Sequence, residues 1–395
     1  MELFTTSAPI IITCSNRIAP YLEMEVVELG YKPVSVFKTG VQLFGTLQDC
    51  IRLNLNLRCA SQVLFSIKKF KAIDADSLYA ALHDIPWEAV IPPNGYFSIT
   101  SNVQNETINN NLFANVRVKD AIVDRFREKS GHRPDSGSAL TGTVIHLFWR
   151  DEQAEIFVDT SGETLSKHGY RKIPGKAPML ESLAAATILA SGWNRKTAFV
   201  NPMCGSSTLA IEAALMASNR KPGMFRTNYA FMHLMGYTES MVEAERKRID
   251  DNIITENLPV IIASDISADA VNISKINAGA AGVADMITFY EGDFEITPMP
   301  QENQGVVFFN PEYGDRLGVE KELEATYSRI GDFMKKKCTG YTGFVFTGNL
   351  ELAKRIGLKP KRRIEFFNSK IDCRLLSFEL YGGSRKLPVT DPINL

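Results

Sequence analysis

Three short segments of this 395-residue chain bring together residue types able to do chemistry. The first is Asn201-Pro202-Met203-Cys204-Gly205-Ser206-Ser207-Thr208, which follows the apolar run 197–200 and opens a helical pattern from Leu209 to Leu215. A strand, a tight turn of small residues and a helix expose backbone N–H groups at a helix N-terminus, where a ligand can be held. The second, Ser264-Asp265-Ile266, sets a carboxylate at the end of another apolar run. The third, Asn310-Pro311-Glu312-Tyr313, follows Val306 to Phe309 and places an amide, a proline carbonyl and an aromatic ring at a strand's carboxyl end. Open α/β sheets bind their ligands at such ends.

Elements able to position these groups can be read around them. From residue 180 onward, strands and helices alternate. Helices are expected over 180–191, 208–218, 267–278 and 322–336, and strands over 197–201, 260–265, 287–291, 306–310 and 343–347. Two closing strands, 363–367 and 375–381, form a hairpin. This alternation implies a mostly parallel sheet with helices on both faces. Residues 1–159 divide into smaller α+β units. Strands are expected at 10–13, 34–37, 41–44, 61–67, 96–103, 144–148 and 155–158, and helices at 19–29, 47–57 and 112–129. Gly30 stands where a helix stop belongs. Between about 160 and 180 lies a stretch rich in Gly and Lys that reads as a linker; its Tyr170 and Arg171 either contact a ligand or brace a domain interface.

Composition narrows the class. Six cysteines without a C-x-x-C pair and five scattered histidines suggest neither a disulfide framework nor a zinc site. No metal is expected. No apolar run is long enough to span a bilayer, and the first residues lack the basic region of a signal peptide, so the expectation is a cytoplasmic protein without a membrane partner. Net charge is −1, but its distribution is uneven. Residues 1–160 carry 15 Lys/Arg against 18 Asp/Glu, whereas 335–386 carry 13 against 4. That basic stripe is either a solvated face or a phosphate-binding surface.

The ordered set of motifs resembles the THUMP-containing class I methyltransferases that make N2-methylguanosine in RNA, and most of all their large-subunit ribosomal RNA members. It is carried by Leu165, His168-Gly169-Tyr170-Arg171, Ala177-Pro178, Leu183 to Ala186, Ser191-Gly192-Trp193, Pro202 to Ser206, Thr208-Leu209, Ile211 to Ala214, Asn310-Pro311, Tyr313-Gly314 and Arg316 to Gly318. Val118 to Ile122 matches the THUMP helix. The resemblance implies an α/β chain in three parts: a ferredoxin-like α+β part over 1–45, a THUMP RNA-binding domain over 46–159, and a linker with a Rossmann-like methyltransferase domain over 160–395. It also implies S-adenosyl-L-methionine (SAM) as cofactor and RNA, foremost rRNA, as partner; the oligomeric state stays open.

For the site, the resemblance implies that Asn201, Cys204, Gly205, Ser206 and Thr208 bind the cofactor. Asp265 and Ile266 follow at its ribose, Asp293 and Phe294 at its adenine, and Asn310 at the reacting end. Catalysis falls to Asn310, Pro311 and Tyr313. The Asn310 side-chain oxygen and Pro311 carbonyl accept the amine's hydrogens, and Tyr313 stacks on the base. Alone, each aspartate reads as a cap or turn residue and Asn-Pro-x-Tyr as a β-turn; three matches in register reverse that. Cys204 reads as a small packing residue rather than a nucleophile. Three positions depart from the family pattern: Asn201 replaces an acid, Ser207 a second glycine, and Glu312 a second proline. They leave open a weakened enzyme that serves as an RNA-binding or assembly protein. A tRNA guanine-N2 enzyme, an N6-adenine DNA enzyme and a protein-glutamine methyltransferase share the Asn-Pro-x-Tyr loop.

Overall fold

A computed structural model describes residues 3–106, 108, 110–175, 178–301, 304–313 and 320–382. Of the motif residues, Ala177, Gly314 and Arg316 to Gly318 lie outside the described residues. The first half builds β1 (Ala8–Thr13), α1 (Ala19–Glu28), β2 (Ser35–Phe37), β3 (Gly40–Gly45), α2 (Leu47–Asn56), β4 (Gln62–Lys71) and α3 (Ala75–His83). It continues with β5 (Tyr96–Gln104), α4 (Asn111–Ser130), β6 (Asp135–Gly137), β7 (Thr143–Arg150) and β8 (Gln153–Asp159). All eight strands join one sheet in the order β2-β3-β1-β4-β8-β7-β5-β6.

The second half builds α5 (Glu181–Ser191), β9 (Ala198–Pro202), α6 (Thr208–Ala217), α7 (Glu239–Asp250), β10 (Ile261–Asp265), α8 (Ala268–Ala280) and β11 (Ile287–Glu291). After these come β12 (Gly305–Phe309), α9 (Glu320–Lys337), β13 (Tyr341–Thr347), α10 (Leu350–Lys354), β14 (Arg362–Asn368) and β15 (Ile371–Glu379). Its sheet runs β11-β10-β9-β12-β13-β15-β14. The first five of these strands are parallel, and β15 is antiparallel to both β13 and β14. Alternate residues serve opposite faces: Phe199 and Phe308 join a core continuous with the N-terminal half, while Val200, Val307 and Phe309 pack under α9. Burial on both faces explains why these strands read as unbroken apolar runs.

Four elements escape the sequence reading: α3, α7, β6 and the five-residue α10. α3 is capped by Asp74, whose carboxylate accepts the Ser77 N–H at 2.8 Å, and its Leu78 and Leu82 are buried one turn apart. α7 is dominated by charged residues and buries only Val242, Glu245 and Ile249. β6 is three exposed residues with no apolar pattern. The stretch read as a linker is also packed rather than loose. Thr160, Ser161, His168 and Tyr170 are buried, and the Tyr170 ring packs edge-on against His168 and Phe225 instead of facing a ligand.

A buried charged cluster fastens those halves. Glu212 of α6 is fully buried and accepts from His168 Nδ1 at 2.7 Å. His168 Nε2 reaches the Arg58 carbonyl at 2.9 Å. The Arg58 guanidinium donates to the Arg220 carbonyl and lies 3.9 Å from Glu212. Glu25 of α1 accepts the backbone N–H groups of Arg58 and Cys59. Buried charges persist only when paired in this way.

Burial pulls the His168 imidazole down, but the Glu212 carboxylate outweighs it and the folded value lies above the ordinary one. His168 therefore adds stability that is complete below pH ~6.5 and is lost as pH rises through the higher folded value. In urea titrations from pH 6 to 9, the stability lost in His168→Gln should be largest at the acid end and shrink with rising pH. A pH-independent difference would show that the imidazole is neutral in the fold.

Candidate active site

The residues flagged in the sequence converge where β9 and β12 part. Those strands pair only from Ala198 to Val200 and Gly305 to Val307. Successive strands leave β9 in opposite directions, so this is the sheet's topological switch point, where a ligand crevice opens. Beyond the last pair, Asn201 Nδ2 donates to the Phe308 carbonyl at 2.8 Å and ties the diverging strands. A carboxylate could not make that bond, which gives a physical reason for an amide where the family pattern has an acid. Asn201 is 1% exposed, and its Oδ1 has no hydrogen-bond partner.

The turn from Met203 to Ser207 is gripped from several sides. Cys204 N–H donates to the Ser264 carbonyl at 2.9 Å, Ser274 Oγ donates to the Gly205 carbonyl at 2.9 Å, and Arg171 donates to Thr208 Oγ1 at 3.0 Å. Asp265 latches the turn, accepting Gly205 N–H at 2.9 Å with one oxygen and Ser267 N–H at 3.0 Å with the other. On its outer side Gly205 faces open space, with no atom within 4 Å of where a Cβ would stand. Met203, Gly205 and Ser207 have φ of 55°, 56° and 57°, so the turn is left-handed at alternate residues. Glycine takes this conformation freely, whereas each non-glycine residue stores about 1 kcal/mol or more. Ser206 and Thr208 are both buried, and Ser207 Oγ has no partner. Burial pushes the Cys204 thiol up to about 11, which keeps it protonated and unsuited to nucleophilic attack.

Around the turn, Ile266 is 72% exposed immediately after Asp265. Asp293 accepts Glu295 N–H at 2.9 Å and the Arg329 guanidinium at 2.8 Å. Burial raises its carboxyl, but Arg329 outweighs that and holds it below the usual range. Phe294 turns its ring into the core against Phe309 and Phe333, so only its backbone is left for a ligand.

At the end of β12, Asn310 is half-buried and its Oδ1 has no hydrogen-bond partner. Pro311 is buried, and Glu312 is exposed. Tyr313 stands edge-on to Phe346, its ring against Gly348, where a Cβ would lie 3.0 Å from the ring. Its hydroxyl accepts from Asn368 Nδ2 at 2.7 Å. Burial pushes the phenol up to about 12, so Tyr313 stays protonated at neutral pH. Gly348, Asn368, Ser274 and Arg329 escape the sequence reading as site residues, while Arg171, left there between a ligand contact and a domain brace, grips the turn through Thr208. Gly348 and Asn368 reach Tyr313 only through the pairing of the last strands, and no local pattern marks them. Among the described residues, no group of three or more His, Cys, Asp or Glu side chains could hold a metal ion. No helix among them is long and apolar enough to cross a membrane.

A sheet of this order with its ligand turn after the first strand defines a class I methyltransferase domain. Residues 168–377 match the RMKL-like methyltransferase domain, 72–159 the THUMP domain and 9–64 the RlmL ferredoxin-like domain. The chain belongs to the RMKL-like methyltransferase family. It is 36% identical over 379 residues to the ribosomal RNA large subunit methyltransferase K/L of Syntrophotalea carbinolica, covering 93% of this chain and 53% of that protein. With the same enzyme of Psychromonas ingrahamii the identity is 34%, covering 93% and 50%. The chain thus spans about half the length of the curated relatives it matches. Among solved structures, SMU.472, crystallised with S-adenosylhomocysteine (SAH), is 25% identical with a TM-score of 0.85, covering 96% of this chain and 99% of its own. A Listeria monocytogenes protein named a predicted N6-adenine-specific DNA methylase is 29% identical with a TM-score of 0.86, covering 96% and 97%.

Ser207 makes the turn's strain measurable. Ser207→Gly removes a left-handed non-glycine residue and an unpaired buried hydroxyl, and should stabilise the fold by about 1–2 kcal/mol. An unchanged or lowered urea midpoint would mean that Ser207 holds a partner the geometry does not reveal.

Proposed function

We propose that this chain is a SAM-dependent methyltransferase acting on the exocyclic N2 amine of a guanosine in RNA, foremost large-subunit rRNA, in the cytoplasm. The observation that carries the reading is Asn310. Its carbonyl oxygen is sequestered yet unpartnered at the carboxyl end of β12, beside the switch point and three residues before Tyr313. A hydrogen-bond acceptor left unmet at this position is costly unless a ligand supplies the donor. The relatives' shared name points to rRNA, and the THUMP match favours RNA over DNA. The reading keeps the three-part division at 1–45, 46–159 and 160–395.

The turn fits an adenosine-bearing methyl donor. Gly205 faces open space, and Asn201 Oδ1 and Ser207 Oγ lack partners. The exposed Ile266 offers apolar cover next to the Asp265 carboxylate. Gly205, Ser206 and Thr208 would hold the donor's amino-acid end with Asn201 and Cys204 beneath it. Asp265 would hold its ribose, with Ile266, Asp293 and the Phe294 backbone at its adenine. When bound, SAM supplies a methyl group on a sulfonium.

The chain's own work is to prepare the amine. A guanine N2 lone pair is delocalised into the ring. Accepting its hydrogens at Asn310 Oδ1 and the Pro311 carbonyl draws the nitrogen toward sp³ and aims the lone pair. Proximity and oriented dipoles then lower the barrier without a covalent enzyme intermediate. Tyr313, fixed by Asn368 and Gly348, offers a stacking surface for an extruded base. As a protonated phenol it is not a base.

Three experiments test this reading. Asn310→Ala should lower methyl incorporation into rRNA by ~10²–10³ while SAM affinity holds within a few-fold. Mass spectrometry of rRNA and tRNA nucleosides from cells with and without the protein should show N2-methylguanosine missing from rRNA; loss from tRNA alone would move the substrate, and loss from neither would sink the reading. Asp265→Ala should weaken SAM binding in calorimetry by about 10- to 150-fold, since it removes a charged acceptor and unlatches the turn. Unchanged affinity in the folded variant would remove Asp265 from the site.

A further inference from the structure

Where the N-terminal half meets the edge of the second sheet there is a cleft of about 400 Å³, lined by Asn16, Arg17, Pro20, Phe37, Lys38 and Phe367, among others. Its volume lies within the ~300–1,000 Å³ typical of ligand sites. The methyl-transfer machinery uses none of these residues. Yet Phe367 directly precedes Asn368, whose amide holds the Tyr313 hydroxyl. We propose that this cleft binds a nucleotide of the RNA flanking the base to be methylated, an inference that rests on the RNA reading above.

The lining has the parts that nucleotide recognition requires. Phe37 is 39% exposed, and its ring lies over Gly40, where a Cβ would come within 2.7 Å of it. Gly40 has no room for a side chain, so the ring rests on bare backbone as a stacking platform set before any ligand arrives. A second flat wall comes from Arg17, whose guanidinium stands 4.2 Å from the centre of the Phe367 ring. Glu365 at 3.3 Å and Asp372 hold Arg17 in that pose. Between a phenyl ring and a guanidinium–phenyl stack, a base can lie with both faces covered, in contacts that tolerate any sequence.

Polar groups complete the fit. Asn16 Oδ1 is sequestered from solvent without a hydrogen-bond partner. The cleft also contains the start of α1, whose N-cap makes no side-chain hydrogen bond and whose first turn holds no acid. Lys38 is exposed and makes no ion pair among the described residues. A phosphate placed by Lys38 would lie near the positive end of that helix. This aromatic cleft with its exposed lysine belongs to an N-terminal half that is otherwise net acidic.

The probe is a fluorescein-labelled, mixed-sequence single-stranded RNA of twelve nucleotides, titrated with the full chain at several salt concentrations. Phe37→Ala should weaken RNA binding roughly 5- to 100-fold, and Phe37→Trp should restore it. Lys38→Gln should lower the salt slope by about 0.7, the value for one phosphate on a single strand. SAM affinity should hold in all three, which also reports that they fold. If the wild-type chain binds the RNA but Phe37→Ala and Lys38→Gln bind it equally well, the cleft is not a nucleotide site and the function reading stands. If the wild-type chain binds no RNA, the RNA reading fails and this inference with it.

Discussion

One buried carboxylate disciplines the architecture. Glu212 lies within α6, the helix that grows from the cofactor turn, and every residue of that helix is buried. A charge so placed costs several kcal/mol unless answered. The answers come from elsewhere in the chain: His168 in the connecting stretch, and Arg58 just after α2. Arg58 in turn is bracketed by Glu25. The helix that presents the turn therefore cannot settle until the N-terminal half is in place. The N-terminal half and the domain that carries the turn are joined through a common interior rather than through a tether.

A second theme is tension at the working end. Two non-glycine residues are held left-handed in a five-residue turn, and three polar oxygens nearby, on Asn201, Ser207 and Asn310, lack partners. None of this favours the fold by itself. It is sustained by Asp265, Ser274, Ser264 and Arg171, which grip the turn from four directions. The departures from the family pattern also gain local sense. Asn201 serves as a strand tie, and Ser207 is the costly member of the turn.

Much of this was legible in the sequence, for reasons that differ by element. The parallel strands announced themselves because they are buried on both faces. The helix at 19–29 did the same through its apolar spacing and the stop at Gly30, which has φ 88°. Chemistry-bearing segments at strand ends were readable because a turn or loop concentrates its residues locally. What stayed hidden was set by distance or polarity. α7 is mostly charged and betrays itself only through sparse contacts, and β6 has no apolar residue at all. Asn368 and Gly348 touch Tyr313 through strand pairing that no spacing rule can foresee. The connecting stretch was misjudged because glycine and lysine suggest solvent, yet its histidine and tyrosine are interior.

Arg58 and Glu25 also have a temporal meaning. On the ribosome the N-terminal half emerges first, and domains generally fold as they appear. Glu25 can meet the backbone of Arg58 and Cys59 as soon as α1 and the residues after α2 exist, since all of these precede residue 60. Glu212 and His168 arrive more than a hundred residues later. The nascent N-terminal half thus holds an arginine whose second acidic neighbour has not yet been made. Until α6 docks, that guanidinium stays accessible to water, and the surface around it remains a half-finished interface. Synthesis order and charge pairing together make the cofactor domain close after the N-terminal half, seated on a partner that is already folded.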